Sequence, residues 1–332
     1  KPIPVLTVSE PAGATIVNAF TVVYTLPDPL PPSFTVTVTA TNSEGEADAT
    51  WPVTVVLPAE LTSGPVHRYG FAADATDSVS AADGTVYGNV TFEGGEAILN
   101  NTGTESSAAS GLFPDPADPA KAPPGAYIDL PNGMISAIGP QATFEFWTTW
   151  DGIAQTQWQR IFDFGTSITG ENVSDGRDAE SYYLFLTPMS GANTLRFGYW
   201  SGVANAELVL DAPRMTPVDE QHIAVVWDEL DASTDPPTPS AKLYVNGVLF
   251  ATNTPNFSLA DLTDDNNWLG RSQFADAMLD GSYNEVRIYD YPLSQAQILG
   301  NIVGGPDCLN GSDCGATETK FYRADPNNDG NS

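Results

Sequence analysis

Glu145 lies in the run TFEFWTTW at 143–150, where a carboxylate on a strand could serve as acid, base or nucleophile. Glycoside hydrolysis needs two carboxylates facing one cleft, which on a single strand means a second acid two to four residues away. The next acid is Asp151, past the end of the run. Glu145 is therefore expected to be a paired or solvated side chain, and the chain to carry no catalytic residue. No G-x-S-x-G elbow and no phosphate-binding loop is present. His67 and His222 match no zinc spacing. Cys308 and Cys314, in CLNGSDC, are close enough across a glycine turn to close a small disulfide loop in an oxidising compartment.

Aromatic side chains offer binding chemistry instead, because exposed Trp and Tyr rings stack on sugar rings while Asn, Asp and Arg meet the hydroxyls. Trp150, Trp158, Tyr199 and Trp200 are the candidate ligand-binding residues, since they fall near strand ends or in loops. Trp147, Trp227 and Trp268 lie inside strand-like runs and are assigned to the core. In 195–200, Leu195, Phe197 and Tyr199 share one face of a strand and Arg196 and Trp200 the other. Arg196 draws that second face toward water, which favours Trp200 as the exposed ring.

The elements that must position these residues are strands. Hydrophobic residues make up 41% of the 332, only 16% are charged, and 29 Gly with 27 Pro punctuate the chain, a composition for many short strands joined by turns. The length calls for one large domain plus smaller pieces. The formal net charge of −30 repels nucleic acid and anionic membranes and favours divalent cations. No stretch is apolar for long enough to span a membrane. The chain opens on Lys1 rather than Met and shows no signal peptide, so it is read as a mature or trimmed piece of a longer exported protein, secreted or at the cell surface.

Residues 1–57 form a first β unit. Its strand 34–42 alternates apolar residues with Thr, and 47–56 returns after the turn at 42–45, with Pro52 marking an edge or a bulge. Residues 58–65 are a linker. The large domain runs over 66–299, with strand-like runs at 67–71, 97–99, 127–130, 143–149, 160–164, 181–186, 195–200, 222–227, 242–245, 248–251 and 284–289. Asn246-Gly247 marks a type I′ hairpin. One helix starts at Ser294, with Gln297 completing a capping box, and runs to about Leu299. The absence of βαβ alternation indicates an all-β, antiparallel sandwich. Residues 300–320 form a Cys-containing linker and 321–332 an acidic tail.

Five pieces in order carry a family resemblance: HRYGFAADATDS at 67–78, TFEFWTTW at 143–150, HIAVVWDE at 222–229, KLYVNGVL at 242–249 and NWLGRSQFADAMLDGSYNEVRIYDYPLSQAQI at 267–298. Together they resemble the laminin-G-like, concanavalin-like jelly-roll family of bacterial extracellular proteins. The resemblance implies a jelly-roll β-sandwich that serves as a binding or adhesive module. FTVTVTATNSEGEADATWPVTV in the first unit is similar to the closing strands of immunoglobulin-like modules. The tail FYRADPNNDGNS resembles the start of a dockerin-type, EF-hand-like calcium loop, with Asp325, Asn327 and Asp329 at positions 1, 3 and 5 and Gly330 at 6.

The laminin-G-like family often carries a structural calcium, and it pairs the first strand of the domain with the last. Antiparallel pairing of 67–71 with 284–289 is expected to gather Asp74, Asp77, Asp276, Asp280 and Asn284 at one corner as calcium ligands. Asn284 stands where the family usually has Asp. Three readings of function follow: a module that binds glycan or a surface protein, a self-associating subunit of a surface layer, filament or adhesin stalk, and an accessory part of a multidomain hydrolase.

Overall fold

A computed structural model describes residues 5–10, 15–17, 21–23, 33–42, 45–54, 59, 61–108, 123–152, 156–176, 182–200 and 207–309. Contacts divide the chain into two compact units, and the second spans Pro58–Ala324. The first unit contains β1 (Val5–Glu10), β2 (Thr15–Val17), β3 (Thr21–Val23), β4 (Ser33–Asn42) and β5 (Gly45–Thr54). Here β4 is central, with β1 and β5 antiparallel on either side, and β2 pairs with β3.

The second unit begins with β6 (His67–Tyr69), β7 (Thr85–Tyr87), β8 (Val90–Glu93), β9 (Glu96–Leu99) and β10 (Tyr127–Leu130). There follow β11 (Gln141–Trp150), β12 (Phe162–Gly165), β13 (Tyr183–Thr187), β14 (Thr194–Trp200) and β15 (Leu208–Pro213). The last strands are β16 (Glu220–Asp228), β17 (Ser240–Val245), β18 (Val248–Asn253), β19 (Asn266–Leu269) and β20 (Gly281–Tyr289), before α1 (Gln295–Gly304). One sheet has the order β15-β14-β13-β12-β19-β10-β7. The other runs β18-β17-β16-β11-β20-β9-β8, with β6 also paired to β20. The expected antiparallel jelly-roll sandwich is what the chain forms. Asn246 and Gly247 both take positive φ, +49° and +78°, as a type I′ turn requires.

The main core lies between the sheets. Phe144, Phe146 and Trp150 of β11 pack there with Phe162 and Phe164 of β12, Leu195, Phe197 and Tyr199 of β14, and Ile223, Val225 and Trp227 of β16. Trp147 and Trp268 are buried too, but Trp268 belongs to a separate cluster with Tyr127 and Met278. The period of two puts the intervening residues on the outer faces.

On the larger sheet that outer face carries a buried polar network. Glu145 sits in register between Ala224 of β16 and Arg287 of β20, and Arg287 is in turn opposite Arg68 of β6. Glu145 accepts from His222 Nε2 at 2.8 Å, Tyr289 OH at 3.0 Å and Asn301 Nδ2 at 2.9 Å. Glu285 accepts from Arg68 Nε and Nη2 at 2.8 Å each, and also from Arg287 Nε. Arg287 Nη2 donates to the carbonyls of Gly305, Pro306 and Cys308, which follow α1. The Trp147 ring stacks under the Arg287 guanidinium, 4.4 Å from its centroid, and meets His222 edge-on. Ser294 caps α1 with Gln297 as its reciprocal partner, so the capping box read from the sequence is present. Ile298 then packs on Ala224, Val226, Tyr244 and Tyr289.

Burial pushes the Glu145 carboxyl up, but the His222 hydrogen bond and charge, Arg287 and Asn301 together hold it below the usual carboxylate range. Removing one member of such a buried set strands the others. Glu145→Ala is expected to lower the unfolding free energy by about 3–5 kcal/mol, measured by denaturant titration. A loss below about 1 kcal/mol would show that the network contributes nothing net.

Candidate functional site

The outer face of the smaller sheet carries a different set of residues. Register places Thr85, Asp129, Trp268, Asp163, Phe185 and Gly198 side by side on β7, β10, β19, β12, β13 and β14. Acid alternates with aromatic along this row and ends on a glycine. A Cβ at Gly198 would lie 2.5 Å from two carbons of the Phe185 ring, so the glycine makes room for the ring to lie flat across β14. Tyr183 and Trp200 face each other in the next row, and with Phe185 they form a buried cluster against the half-buried Trp158 and Phe274.

Trp158 and Phe274 are the aromatics at which this cluster reaches the surface, and Trp158 is the one beside two guanidiniums. It has φ +67°, a left-handed backbone that a bulky residue adopts only when its surroundings impose it. Its N–H donates to the Met189 carbonyl at 2.8 Å, and its own carbonyl accepts from Arg160 Nη1 at 2.5 Å. The Arg160 and Arg196 guanidiniums lie 5.8 and 5.9 Å from the ring centroid, within cation–π range. Arg160 also covers Phe185 at 4.3 Å and is held by Asp163 and Asp276. Arg196 is gripped by both oxygens of Asp211 at 2.8 Å.

At the other end of the row, Tyr87 stacks on Tyr127 with centroids 4.9 Å apart. Arg271, fully buried, lies 4.1 Å over the Trp268 ring and donates to Ser174 Oγ, Tyr127 OH and the Asn172 carbonyl. Burial pushes the Asp129 carboxyl up to about 7, against the pull of Arg271. The Trp268 indole also lowers it, without closing a hydrogen bond of ordinary geometry to Asp129 Oδ1. Burial likewise pushes Asp163 up to about 6, opposed by Arg160 and Gln273.

Of the four aromatic residues expected to bind ligand, Trp158 alone holds such a position. Trp150 and Tyr199 are core: each is fully buried between the sheets, and Trp150 Nε1 donates to Gln159 Oε1 at 2.8 Å. Trp150 shares the parity of Phe144 and Phe146, which fixes its face. Trp200 is on the outer face as read, but it is 3% exposed because Tyr183 and Phe185 pack against it.

The five expected calcium ligands are not brought together. β6 does pair with β20, at Tyr69 opposite Val286. However, β20 extends back to Gly281 and there pairs with β9, so Asp280 lies about 20 Å along the strand from that contact. Asp77 spends its oxygens on His67, Ser80 and the amides of Arg68 and Val79, while Asp74, exposed, accepts from the Thr76 amide. Asp276 is bound to Arg160 and Ser272. Asn284 is the extra residue of a β-bulge between Tyr283 and Glu285, and its amide donates to Glu220. Asp280 sits near Asp151 and Glu105, and burial together with those two charges pushes its carboxyl up to about 6. These residues do not fit calcium as a set, and no cluster of three or more His, Cys, Asp or Glu suited to a metal occurs among the described residues. Cys308 is buried; Cys314 and the tail residues Asp325, Asn327 and Asp329 lie outside the described residues.

The antiparallel jelly-roll sandwich is the architecture of the concanavalin-like fold. Residues 123–299 match the model of the concanavalin A-like lectin/glucanases superfamily, and the chain belongs to that superfamily. No curated protein sequence matches it. Among solved structures it is similar to domain 4 of AbnA, an extracellular arabinanase from Geobacillus stearothermophilus in complex with arabinotriose, at 19% identity and a TM-score of 0.46 over 71% of this chain and 96% of that one. It is also similar to the CBM40 of a Ruminococcus gnavus IT-sialidase bound to α2,3-sialyllactose, at 18% identity and a TM-score of 0.36 over 48% and 81%. A Trypanosoma rangeli sialidase in complex with sialic acid matches at 12% identity and a TM-score of 0.47 over 80% and 42%. No helix among the described residues is long and apolar enough to cross a membrane.

Raised carboxyl pKa values give the face a pH signature. The folded chain keeps a proton on Asp129 that the unfolded chain releases, so the stability this group confers is complete below pH about 4 and lost as pH rises through about 7. Asp129→Asn should flatten that part of the profile of melting temperature against pH, and should be at least as stable as the parent above pH about 7. Parallel profiles would show that Asp129 titrates normally.

Proposed function

We propose that the chain is an extracellular, non-catalytic glycan-binding module whose ligand lies on the outer face of the smaller sheet, at Trp158. The observation that carries this reading is the strained, half-buried Trp158 standing beside two arginines on a floor of Phe185, Trp200 and Phe274. A flat aromatic beside anchored polar groups matches the alternating apolar and hydroxyl-bearing faces of a pyranose. Backbone strain held by surrounding structure is a mark of ligand sites. Superfamily membership supports the same ligand class.

Catalysis would need a reachable pair of acids. Glu145 is fully buried in the network on the opposite sheet. Asp129 and Asp163 share a row, but Trp268 stands between them with Arg271 stacked on it. Asp163 is itself 1% exposed.

Trp158→Ala should weaken glycan binding about tenfold or more in calorimetry against the best ligand of a glycan array, with a cooperative melting curve showing that the variant still folds. Unchanged affinity would place the ligand elsewhere. Extracellular residence further calls for a bond between Cys308 and Cys314. Intact mass without reductant should come out lighter by two hydrogens than after reduction, and two alkylatable thiols would refute it.

A further inference from the structure

We infer that the Trp158 site takes an uncharged, hydroxyl-rich glycan and selects against glycans bearing carboxylate or sulfate. The inference rests on the reading of this face as a glycan site and narrows its ligand class.

Among the described residues, the three guanidiniums stacked on or beside the aromatic rings of this face, Arg160, Arg196 and Arg271, are already neutralised or fully engaged. Arg196 is closed by a two-pronged pair with Asp211, whose Oδ1 also accepts from Thr194 Oγ1. Arg160 has Nε on Asp163, Nη2 on Asp276 and Nη1 on the Trp158 carbonyl. Arg271 is spent on Ser174, Tyr127 and Asn172. Bidentate and charge-assisted pairs of this kind are the strong ones, so an incoming anion would have to displace a carboxylate to gain a guanidinium. It would then leave that carboxylate unpaired in a partly buried site.

Within the two ion pairs beside Trp158 the carboxylate, not the guanidinium, is the partner more open to solvent. The Asp211 side chain is 33% exposed and that of Asp276 25%, whereas Arg196 and Arg160 are 17% and 3% exposed. A hydroxyl meets such carboxylates as a donor, whereas a carboxylate or sulfate brings only further acceptors. The chain as a whole carries a formal net charge of −30, so its field repels anions before contact. With its charges internally compensated, the site offers Trp158 as a stacking plate and fixed acceptors as hydroxyl partners.

The test compares matched probes on the full chain: lactose against sialyllactose, xylan against glucuronic-acid-substituted xylan, and galactan against polygalacturonate, each by calorimetry at low and at physiological salt. The expected result is that at least one neutral probe binds, competes at Trp158 and changes little with salt, while its anionic counterpart binds at least tenfold more weakly. Asp211→Asn, which unmasks Arg196, should shift the ratio several-fold toward the anionic probe, with folding checked by its melting curve. An anionic probe that binds more tightly than its neutral counterpart, is lost on Trp158→Ala and weakens with salt would overturn the ligand class while leaving the glycan site standing. Binding that ignores Trp158→Ala, or no binding by any probe, would overturn the glycan site and this inference with it.

Discussion

Glu145 and Arg287 meet across two neighbouring strands at the centre of the larger sheet, both fully buried, on the face turned away from the main core. Ions cannot be left there without partners, so the chain must bring donors and acceptors from every side. Arg68 comes from the first strand of the domain, His222 from β16, Asn301 from α1 and three carbonyls from the turn after α1. The beginning and end of the sandwich unit are thereby tied to one point. This also explains why α1 is short and well capped: its position is set by Asn301 reaching Glu145 and by Ile298 on the apolar part of the same face, more than by helix propensity.

With one outer face closed by a helix and a buried ionic network, the other outer face is the one left to interact. It is built from the same alternation, yet its row of Asp129, Trp268, Asp163 and Phe185 is covered by side chains rather than by a helix. Arginines stacked over aromatic rings do that covering, at 4.1 Å for Arg271 on Trp268 and 4.3 Å for Arg160 on Phe185. Each guanidinium covers an apolar ring while its own donors are satisfied, those of Arg160 by Asp163 and Asp276 and those of Arg271 by Ser174, Tyr127 and the Asn172 carbonyl. Trp158 stands where that cover ends.

Much of the fold was legible because most strands show clean alternation. Tyr127–Leu130, the hairpin at Asn246-Gly247 and the Ser294 cap follow from local chemistry that tertiary packing reinforces. Strands β1, β2 and β3 of the first unit and β7, β8, β15 and β19 of the sandwich are absent from the sequence reading, and for the sandwich the reasons are physical: β7 and β8 are short and partly exposed edges, β15 is a weakly alternating edge, and β19, NNWL, is buried on both faces. Parity was enough to send Tyr199 inward and Trp200 outward, but parity gives a face and not an exposure. The burial of Trp200 depends on Tyr183 and Phe185 from a neighbouring strand. Parity along β11 also held the signal that Trp150 is core, since it aligns with Phe144 and Phe146. The calcium corner failed through a bulge and a strand longer than read: Asn284 is the extra residue, and the first turn of β20 belongs to β9.

The same limit governs what a sequence says about acids. A search along one strand finds Glu145 alone, whereas Asp129 and Asp163 become near neighbours through β19 and are separated by two strand spacings, about 10 Å. That separation approaches the range used by inverting glycosidases, about 6.5–9.5 Å, and both carboxyls are pushed up toward neutrality. Distance and pKa alone would therefore nominate them as a catalytic pair. The space between decides otherwise: it holds the Trp268 indole under the Arg271 guanidinium, not a cleft for a sugar and a water. Asp163, moreover, is saturated by Arg160 and by the amide and side chain of Gln273. Desolvation that raises a carboxyl pKa prepares an acid only where substrate can replace the missing water. Around Asp163 the water has been replaced by Arg160 and Gln273, and around Asp129 by the Trp268 indole and the nearby charge of Arg271.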